Sequence, residues 1–268
     1  GGDEAAGPAR TIDLAYEIFV GGVTLGKVDM SARIQGSDYK VVSSLDTAGI
    51  VNKFWQSHIT ASSNGSLGAN KIQPGVYDAS SSHAGSAKIQ QVTVKFDGNG
   101  APQVVADPPY SGANPVADEQ KKGALDPTSA VLQVATGLSA TAKNPCGTSA
   151  RVFDGRRRYD VNFTYRNNVD VKLDNGLYAG PALLCEIKYV QVAGYKQKIL
   201  AEGAKLPQMF AWMVSVPSKT DPSLHYLVPV RLWANTDFGV AAAVVSKVRL
   251  DGAPLAADRR AELPKTVR

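Results

Sequence analysis

The sequence predicts an all-β protein with one or two short helices, built as an antiparallel barrel or as an open β-spiral or half-barrel. Three observations carry this. Apolar residues alternate with period two over many short segments. Glycine-rich turn signals such as Gly21-Gly22 and Asp97-Gly98-Asn99-Gly100 separate those segments. Only two stretches repeat their apolar residues at helical spacing.

Thr11 to Val20 reads as a strand that turns at Gly21-Gly22 into a partner at Val23 to Ile34. Asp38 to Leu45 follows Gly36. Thr47 to Trp55 reads as a short helix capped by Asp46 or Thr47, with Ile50, Val51, Phe54 and Trp55 on one face. Lys88 to Phe96 alternates cleanly, with Val92, Val94 and Phe96 facing one way. Between Asp107 and Leu125 runs a loop rich in Pro, Gly and Lys. Its length marks it as a functional flap or a divider between two halves. Asp126 to Leu138 reads as the second helix. Asp126 suits its cap and Pro127 its first position, while Val131, Val134, Ala135 and Leu138 recur on one face.

Strands then resume at Ala150 to Phe153, Arg156 to Tyr165, Val169 to Leu173 and Leu183 to Val192. Tyr195 to Lys205 reads as a short helix or a strand interrupted by Gly203. Gln208 to Val216 places Phe210, Trp212, Val214 and Val216 together. Tyr226 to Ala234 places Tyr226, Val228, Val230 and Leu232 together, and Pro229 marks an edge strand or a bulge. Val240 to Leu250 closes the sheet. One domain over residues 11–255 is expected, with the long loop at 107–125, a flexible N-terminus at 1–10 and a loose charged tail at 256–268.

Composition bounds the function. The formal net charge is +5 over 268 residues. That mild basicity favours anionic lipid headgroups or acidic polysaccharide as partners. It does not indicate nucleic acid, because no basic run exceeds Arg156-Arg157-Arg158 and no nucleic-acid-binding signature occurs. The most apolar window, Gly239 to Val245, is too short to span a bilayer. No secretory signal is visible in the opening residues.

Cys146 and Cys185 belong to no Cys-x-x-Cys or Cys/His cluster, so zinc and dithiol redox chemistry are disfavoured. A single disulfide is the natural use of two such residues, and it implies an oxidising compartment. Two unpaired buried thiols are the alternative. A disulfide would stabilise the fold by about 4 kcal/mol through loop closure.

The stretch from Cys146 to Tyr165 reads as a hairpin with a type I′ turn at Asp154-Gly155. Period two places Arg157, Tyr159, Val161, Phe163 and Tyr165 on one face. Arg156, Arg158, Asp160, Asn162 and Thr164 fall on the other, where Arg158 and Asp160 form a solvated pair. Arg157 sits at the rim of the aromatic face. There it either anchors a phosphate or carboxylate, or snorkels to water over Tyr159.

Catalytic motifs are lacking. His58, His83 and His225 are widely spaced, and no Gly-x-Ser-x-Gly elbow or Ser-x-x-Lys occurs. Gly65 to Asn70 reads as a turn and not as a phosphate loop. Asp154 belongs to its turn, and His58 reads as a strand residue. No cofactor and no metal site are expected.

The chain resembles a bacterial domain-of-unknown-function family, number 3108, in its alphaproteobacterial form. The resemblance rests on Tyr16, Gly21-Gly22 and Leu25-Gly26, on Ile72 to Tyr77, and on Asp126 to Ala130. It continues through Cys146, Phe153 to Tyr159, Cys185, Val192 to Tyr195, Val228 to Arg231 and Asp237 to Gly239. Together these span most of residues 16 to 250. The resemblance implies an exported, periplasmic envelope protein rich in antiparallel strands. It is similar in fold to the half-barrels of lipoprotein carriers and to the β-spirals of envelope-integrity proteins. It also implies a Cys146–Cys185 bond, and it supplies no catalytic residue.

Two non-enzymatic functions are compatible with these readings. One is the binding of an amphipathic or lipid-like ligand in a concave sheet. Trp55, Phe163, Trp212 and Trp233, with Tyr159 and Tyr165, would line it, and Arg157 or Arg231 would lie near the headgroup. The other is an envelope scaffold that acts through a protein partner or an acidic surface, with the 107–125 loop as its contact. The side each tryptophan faces, and whether the interior is packed or empty, stay open at this level.

Overall fold

A computed structural model describes residues 7–49, 56–111, 114–202 and 206–255. In chain order the elements are β1 (Arg10–Val20), β2 (Val23–Gln35), β3 (Asp38–Thr47), β4 (Ser57–Leu67), β5 (Ile72–His83), β6 (Gln90–Lys95) and β7 (Gln103–Asp107). Then come α1 (Asp118–Lys121), α2 (Pro127–Ala135), β8 (Ala150–Phe153), β9 (Arg158–Lys172), β10 (Ala179–Ala193) and α3 (Gln197–Glu202). The last are β11 (Met209–Pro217), β12 (His225–Thr236), β13 (Gly239–Leu250) and β14 (Ala253–Pro254). All strands belong to one antiparallel sheet in the order β7-β6-β5-β4-β3-β2-β1-β13-β12-β11-β10-β9-β8, with β14 added on β13.

The sheet is a pair of meanders joined where β1 pairs with β13, from Ile12–Leu250 to Val20–Ala241. β13 therefore joins the halves and does not close the sheet, as expected of it from sequence. β7 and β8 remain the two edges, so the fold is an open, barrel-like sheet. The edges approach through side chains. A Cβ on Gly155, beyond β8, would stand 2.7 Å from Val92 Cγ2 on β6. Phe153 of β8 joins Tyr77, Val92, Val94, Val116 and Ala124 in one buried cluster. Leu125 adds a short parallel bridge to β8, with Leu125 N–H donating to Arg151 O and Phe153 N–H to Leu125 O, both at 2.8 Å.

Helix α2 fills the interior. It packs against β3, β4 and β5 on one side and β8 and β12 on the other. Asp126 caps it, accepting from Ser129 N–H at 2.9 Å, and Pro127 stands in its first turn as the sequence predicts. The buried side is carried by Ala130, Leu132 and Ala135; Val131, expected on the apolar face, is exposed. The main core joins α2 to Ile12, Leu14, Tyr39, Val41, Tyr226 and Val228.

Asp126 is fully buried. Its carboxylate also accepts from Ser129 Oγ at 2.5 Å and Thr128 Oγ1 at 2.8 Å. Tyr39 on β3 meets Ser129 Oγ at 2.6 Å, and Thr128 Oγ1 lies 2.8 Å from Ser63 Oγ on β4. Burial raises the Asp126 pKa above the ordinary carboxylate value, and the hydroxyl and amide donors only partly offset this. At the C-terminal end, Asp251 sits at a left-handed φ of 51° between β13 and β14. Burial disfavours its charge, but bonds from Tyr226 and Ser218 and the amides of Thr11 and Lys219 outweigh it. Its pKa is lowered.

Strands β4 and β5 were not evident in the sequence, because Ser, Gly and Asn have low strand propensity. Pairing on both sides overrides this, with β3 on one flank and β6 on the other. Gly65 to Leu67, read as part of a turn, continue β4, and the turn itself closes through Gly68 N–H to Lys71 O. The Thr47–Trp55 helix falls mostly on residues 50–55, outside the described residues, and Thr47 ends β3. Residues 1–6 and 256–268 of the two expected loose ends also lie outside them. The 107–125 segment begins at a cis Asp107–Pro108 bond and carries α1.

Asp126 and Asp251 give opposite pH responses. Asp251 has a lowered folded-state pKa. Its contribution is present above the ordinary carboxylate value and is lost as pH falls through the lowered one. Asp126 has a raised pKa, so its protonation favours the folded chain. That contribution is full below the ordinary value and fades as pH rises through the raised one. Denaturant midpoints measured from about pH 3 to pH 8 should therefore show an acid-side loss that flattens in Asp251→Asn. In Asp126→Asn the slope above the ordinary carboxylate range should flatten instead. Wild-type slopes in both variants would contradict the assignment.

Candidate functional site

The arginine turn between β8 and β9 has Gly155 and Arg156 at its tip. Asp154 N–H donates to Arg157 O at 3.2 Å, and Gly155 has a φ of 96°. It is a glycine-first turn and not the type I′ turn at Asp154-Gly155, because Asp154 keeps a negative φ. The Asp154 carboxylate accepts from the amides of Arg156 at 2.8 Å and Arg157 at 2.6 Å.

The three arginines part company. Arg156 is exposed and lies 5.1 Å from the Tyr110 ring centre. Arg157 is exposed and lies 5.7 Å from that of Tyr195. Arg158, expected as a solvated surface residue, is only 3 % exposed. Its guanidinium donates to Gln120 O at 3.0 Å, Tyr159 O at 2.6 Å and Asp160 Oδ1 at 2.6 Å. The Asp160 pairing is real, but three fixed acceptors replace water around the cation. Tyr159 meets Tyr189 at a tilt with ring centres 4.9 Å apart, and the hydroxyls of Tyr189 and Tyr195 are hydrogen-bonded. Burial raises the phenol pKa of all three. They act as neutral phenols beside the cations. Asn114 Nδ2 donates to Tyr195 O at 2.9 Å and ties the long loop to the turn that leaves β10.

A second cation–aromatic arrangement lies on β11 and β12. Trp212 pairs with Arg231, and Met213 with Pro229, so Val230 is a bulge. Pro229 had marked this place, on an interior strand. The bulge reverses side-chain parity for the rest of β12. Leu232 therefore leaves Tyr226 and Val228 and packs with the disulfide cluster. Arg231 and Trp233 turn to the side of Trp212 and Phe210. The Arg231 guanidinium sits 5.2 Å from the Trp212 ring and 4.9 Å from the Trp233 ring. Trp233 meets Trp212 edge-on at 5.3 Å and stacks on Phe210 at 5.7 Å. Ala242 faces Trp233 across the ladder and leaves room for the indole.

A groove of about 440 Å³ opens beside this stack. Phe19, Trp212, Val240, Ala242 and Val244 make its apolar wall. The β9–β10 turn, Lys172 to Asn175, lines its other side, held by Asn175 Nδ2 donating to Val245 O at 2.8 Å. Glu17 and Asp174 also line the groove, yet no carboxylate among the described residues forms an ion pair with Arg231.

The structure thus divides the residues singled out from sequence. Arg157 and Tyr159 belong to the arginine turn; Arg231 and Trp212 line the groove, with Trp233 stacked beside them; Trp55 lies outside the described residues. Phe163 and Tyr165 line neither. They pack with Cys146, Cys185, Ile187 and Met213 in a separate cluster. Asn144 bonds to their backbone where β8 no longer covers β9. Cys146 and Cys185 are joined, with Cα atoms 6.0 Å apart. Tyr189, Tyr195, Tyr110 and Phe210 were missed. Their tyrosine and phenylalanine identity was visible, but the contacts are made across turns and bulges.

The histidines are less scattered than their spacing implies. His83 pairs across the ladder with Ser57, whose Oγ lies 2.8 Å from His83 Nδ1, while His58 bonds Asp46. Among the described residues no three His, Cys, Asp or Glu side chains gather as metal ligands. No helix among them is long and apolar enough to cross a membrane.

The contrast between neighbouring arginines is measurable. Arg158→Ala should cost about 2–4 kcal/mol, because it strands two backbone carbonyls and a half-shielded carboxylate. Arg157→Ala should change stability by no more than about 0.5 kcal/mol. Equal urea midpoints for the two variants would refute this division.

Comparison with known proteins bears on the fold and the family. No curated protein matches the chain. Among solved structures it is similar to the "Beta-barrel-like Protein of Domain of Unknown Function DUF1849 from Brucella abortus", with a TM-score of 0.52 and 11 % identity. The match covers 91 % of this chain and 98 % of that one, and at such identity it shows the fold alone. The family profile described as "Protein of unknown function (DUF3108)" matches residues 15–246. With the match running from β1 through β13, the chain belongs to the DUF3108 family.

Proposed function

We propose that this protein is a non-enzymatic, periplasmic component of the cell envelope that holds an amphipathic, lipid-like anion in the Trp212–Arg231 groove. The observation that carries this is Arg231. It rests against two indoles beside an apolar wall, with no ion-pair partner among the described residues. A guanidinium stacked this way keeps its in-plane donors available for a headgroup oxygen. Phe19, Val240 and Val244 offer the chain an apolar track. The groove lies beside the core that α2 joins, with Trp212 and Val244 packed against that core. The Cys146–Cys185 bond supports an oxidising compartment.

The packing of α2 against strands of both halves also favours a second reading. A sheet filled by its own helix suits an envelope scaffold that works through surface contacts without a small ligand.

Native mass spectrometry of protein gently purified from the periplasm separates the two. An adduct that is lost on denaturation, and lost without it in Arg231→Ala, is expected for a ligand holder. A clean apo mass in wild type, together with no retention of an added long-chain anionic detergent, would exclude the groove and leave the scaffold.

A further inference from the structure

Beyond the groove, the arginine turn forms a second cleft, far from Arg231 in the strand order. It measures about 370 Å³ and opens between the β8–β9 turn, the loop residues Tyr110, Ser111, Asn114, Pro115 and Val116, and the turn that leaves β10. Arg156, Lys121 and Lys196 line it, together with Ser111, Asn114 and the Tyr110 ring.

Its charge is unbalanced. Lys121 is matched by Asp118 at 3.1 Å. Arg156 and Lys196 line the cleft without an ion pair among the described residues, and Arg157 stands behind them over Tyr195, also without one. Asp154 is the neighbouring carboxylate, and its Oδ1 is engaged by the turn's own amides. Three cations line the cleft, of which only Lys121 has an ion-pair partner, and no carboxylate lines it among the described residues; the excess suits a dianion. Like charges gathered around a concavity repel one another unless an anion binds there.

Two of the walls are tied together. A Cβ on Gly194 would stand 2.2 Å from Arg156 O. The turn that leaves β10 and the arginine turn are therefore interlocked, and Arg156 and Lys196 are presented on one frame. A site that is ordered before its ligand arrives spends less of the binding free energy on ordering. Arg156 supplies the planar fork and Lys121 and Lys196 the point charges, a combination matched to the oxygens of a phosphate ester. Tyr110 and Val116 leave apolar surface for a small organic body attached to it.

We propose that this cleft binds a phosphate monoester through Arg156, Lys121 and Lys196. The ester is either a free small molecule or the exposed headgroup of a phosphate-bearing lipid.

The test uses the full chain with its disulfide intact. Glycerol 3-phosphate is titrated by calorimetry with glycerol as control. In parallel, phosphatidylcholine vesicles with and without phosphatidic acid are tested by co-sedimentation. Binding of glycerol 3-phosphate that weakens tenfold or more in Arg156→Ala and Lys196→Ala supports a soluble ester. Arg156→Lys, which keeps the charge and loses the fork, should fall between wild type and Arg156→Ala. Lys40→Ala, an exposed cation on β3, should bind as wild type does. Retention only on phosphatidic acid vesicles, with the same dependence on Arg156, supports the headgroup. No binding in either arm, or binding equally reduced by Lys40→Ala, overturns the site. Either result leaves the Arg231 groove to its own test.

Discussion

An open antiparallel sheet must cover its inner face, and here one buried carboxylate organises the cover. Asp126 starts α2, and the hydroxyls it gathers reach Tyr39 on β3 and Ser63 on β4. The residue before it, Leu125, is bridged to β8 at the opposite edge. Two adjacent residues thus touch both halves of the molecule. The arrangement is costly in isolation, since the carboxylate has no cation in its bonding shell. It persists because every oxygen finds a donor and because α2 then fills the space between β3–β5 and β12.

Much of this was legible. Gly21-Gly22 places the first hairpin, and Asp126-Pro127 places the start of α2. Pro229 signals the bulge, and the two cysteines pair as the resemblance implies. The failures share a cause. β4 and β5 owe their strand state to neighbours on both sides and not to their own residues. Arg158 is buried because a carbonyl from Gln120, 38 residues away, faces it. Period two alone puts Leu232 with Val228, and one extra residue at Val230 cancels that inference. Periodicity reads a strand only until its first bulge.

The same bulges sort the aromatic residues. A single arginine-bearing aromatic face becomes two separate stations, with the disulfide cluster lying between β9 and β12. In both stations a guanidinium rests on aromatic rings, by different routes. At Arg231 two tryptophans hold one cation. At the turn, two tyrosines from two segments hold one cation each. Tryptophan favours a permanent stack, whereas a phenol also offers a hydroxyl for exchangeable bonds.

The approach of β8–β9 to β6 has a mechanical consequence. Every other junction along the sheet is a ladder of backbone hydrogen bonds, but here methyl groups of Val92 and Val94 meet a bare glycine. Contacts of that kind part without breaking a ladder. The molecule therefore resembles a cuff with a seam, and its easiest breathing motion is the slight parting of that seam. Phe153, Val116 and Tyr110 border it, so the arginine turn stands on the lip of the most compliant line in an otherwise continuously hydrogen-bonded shell.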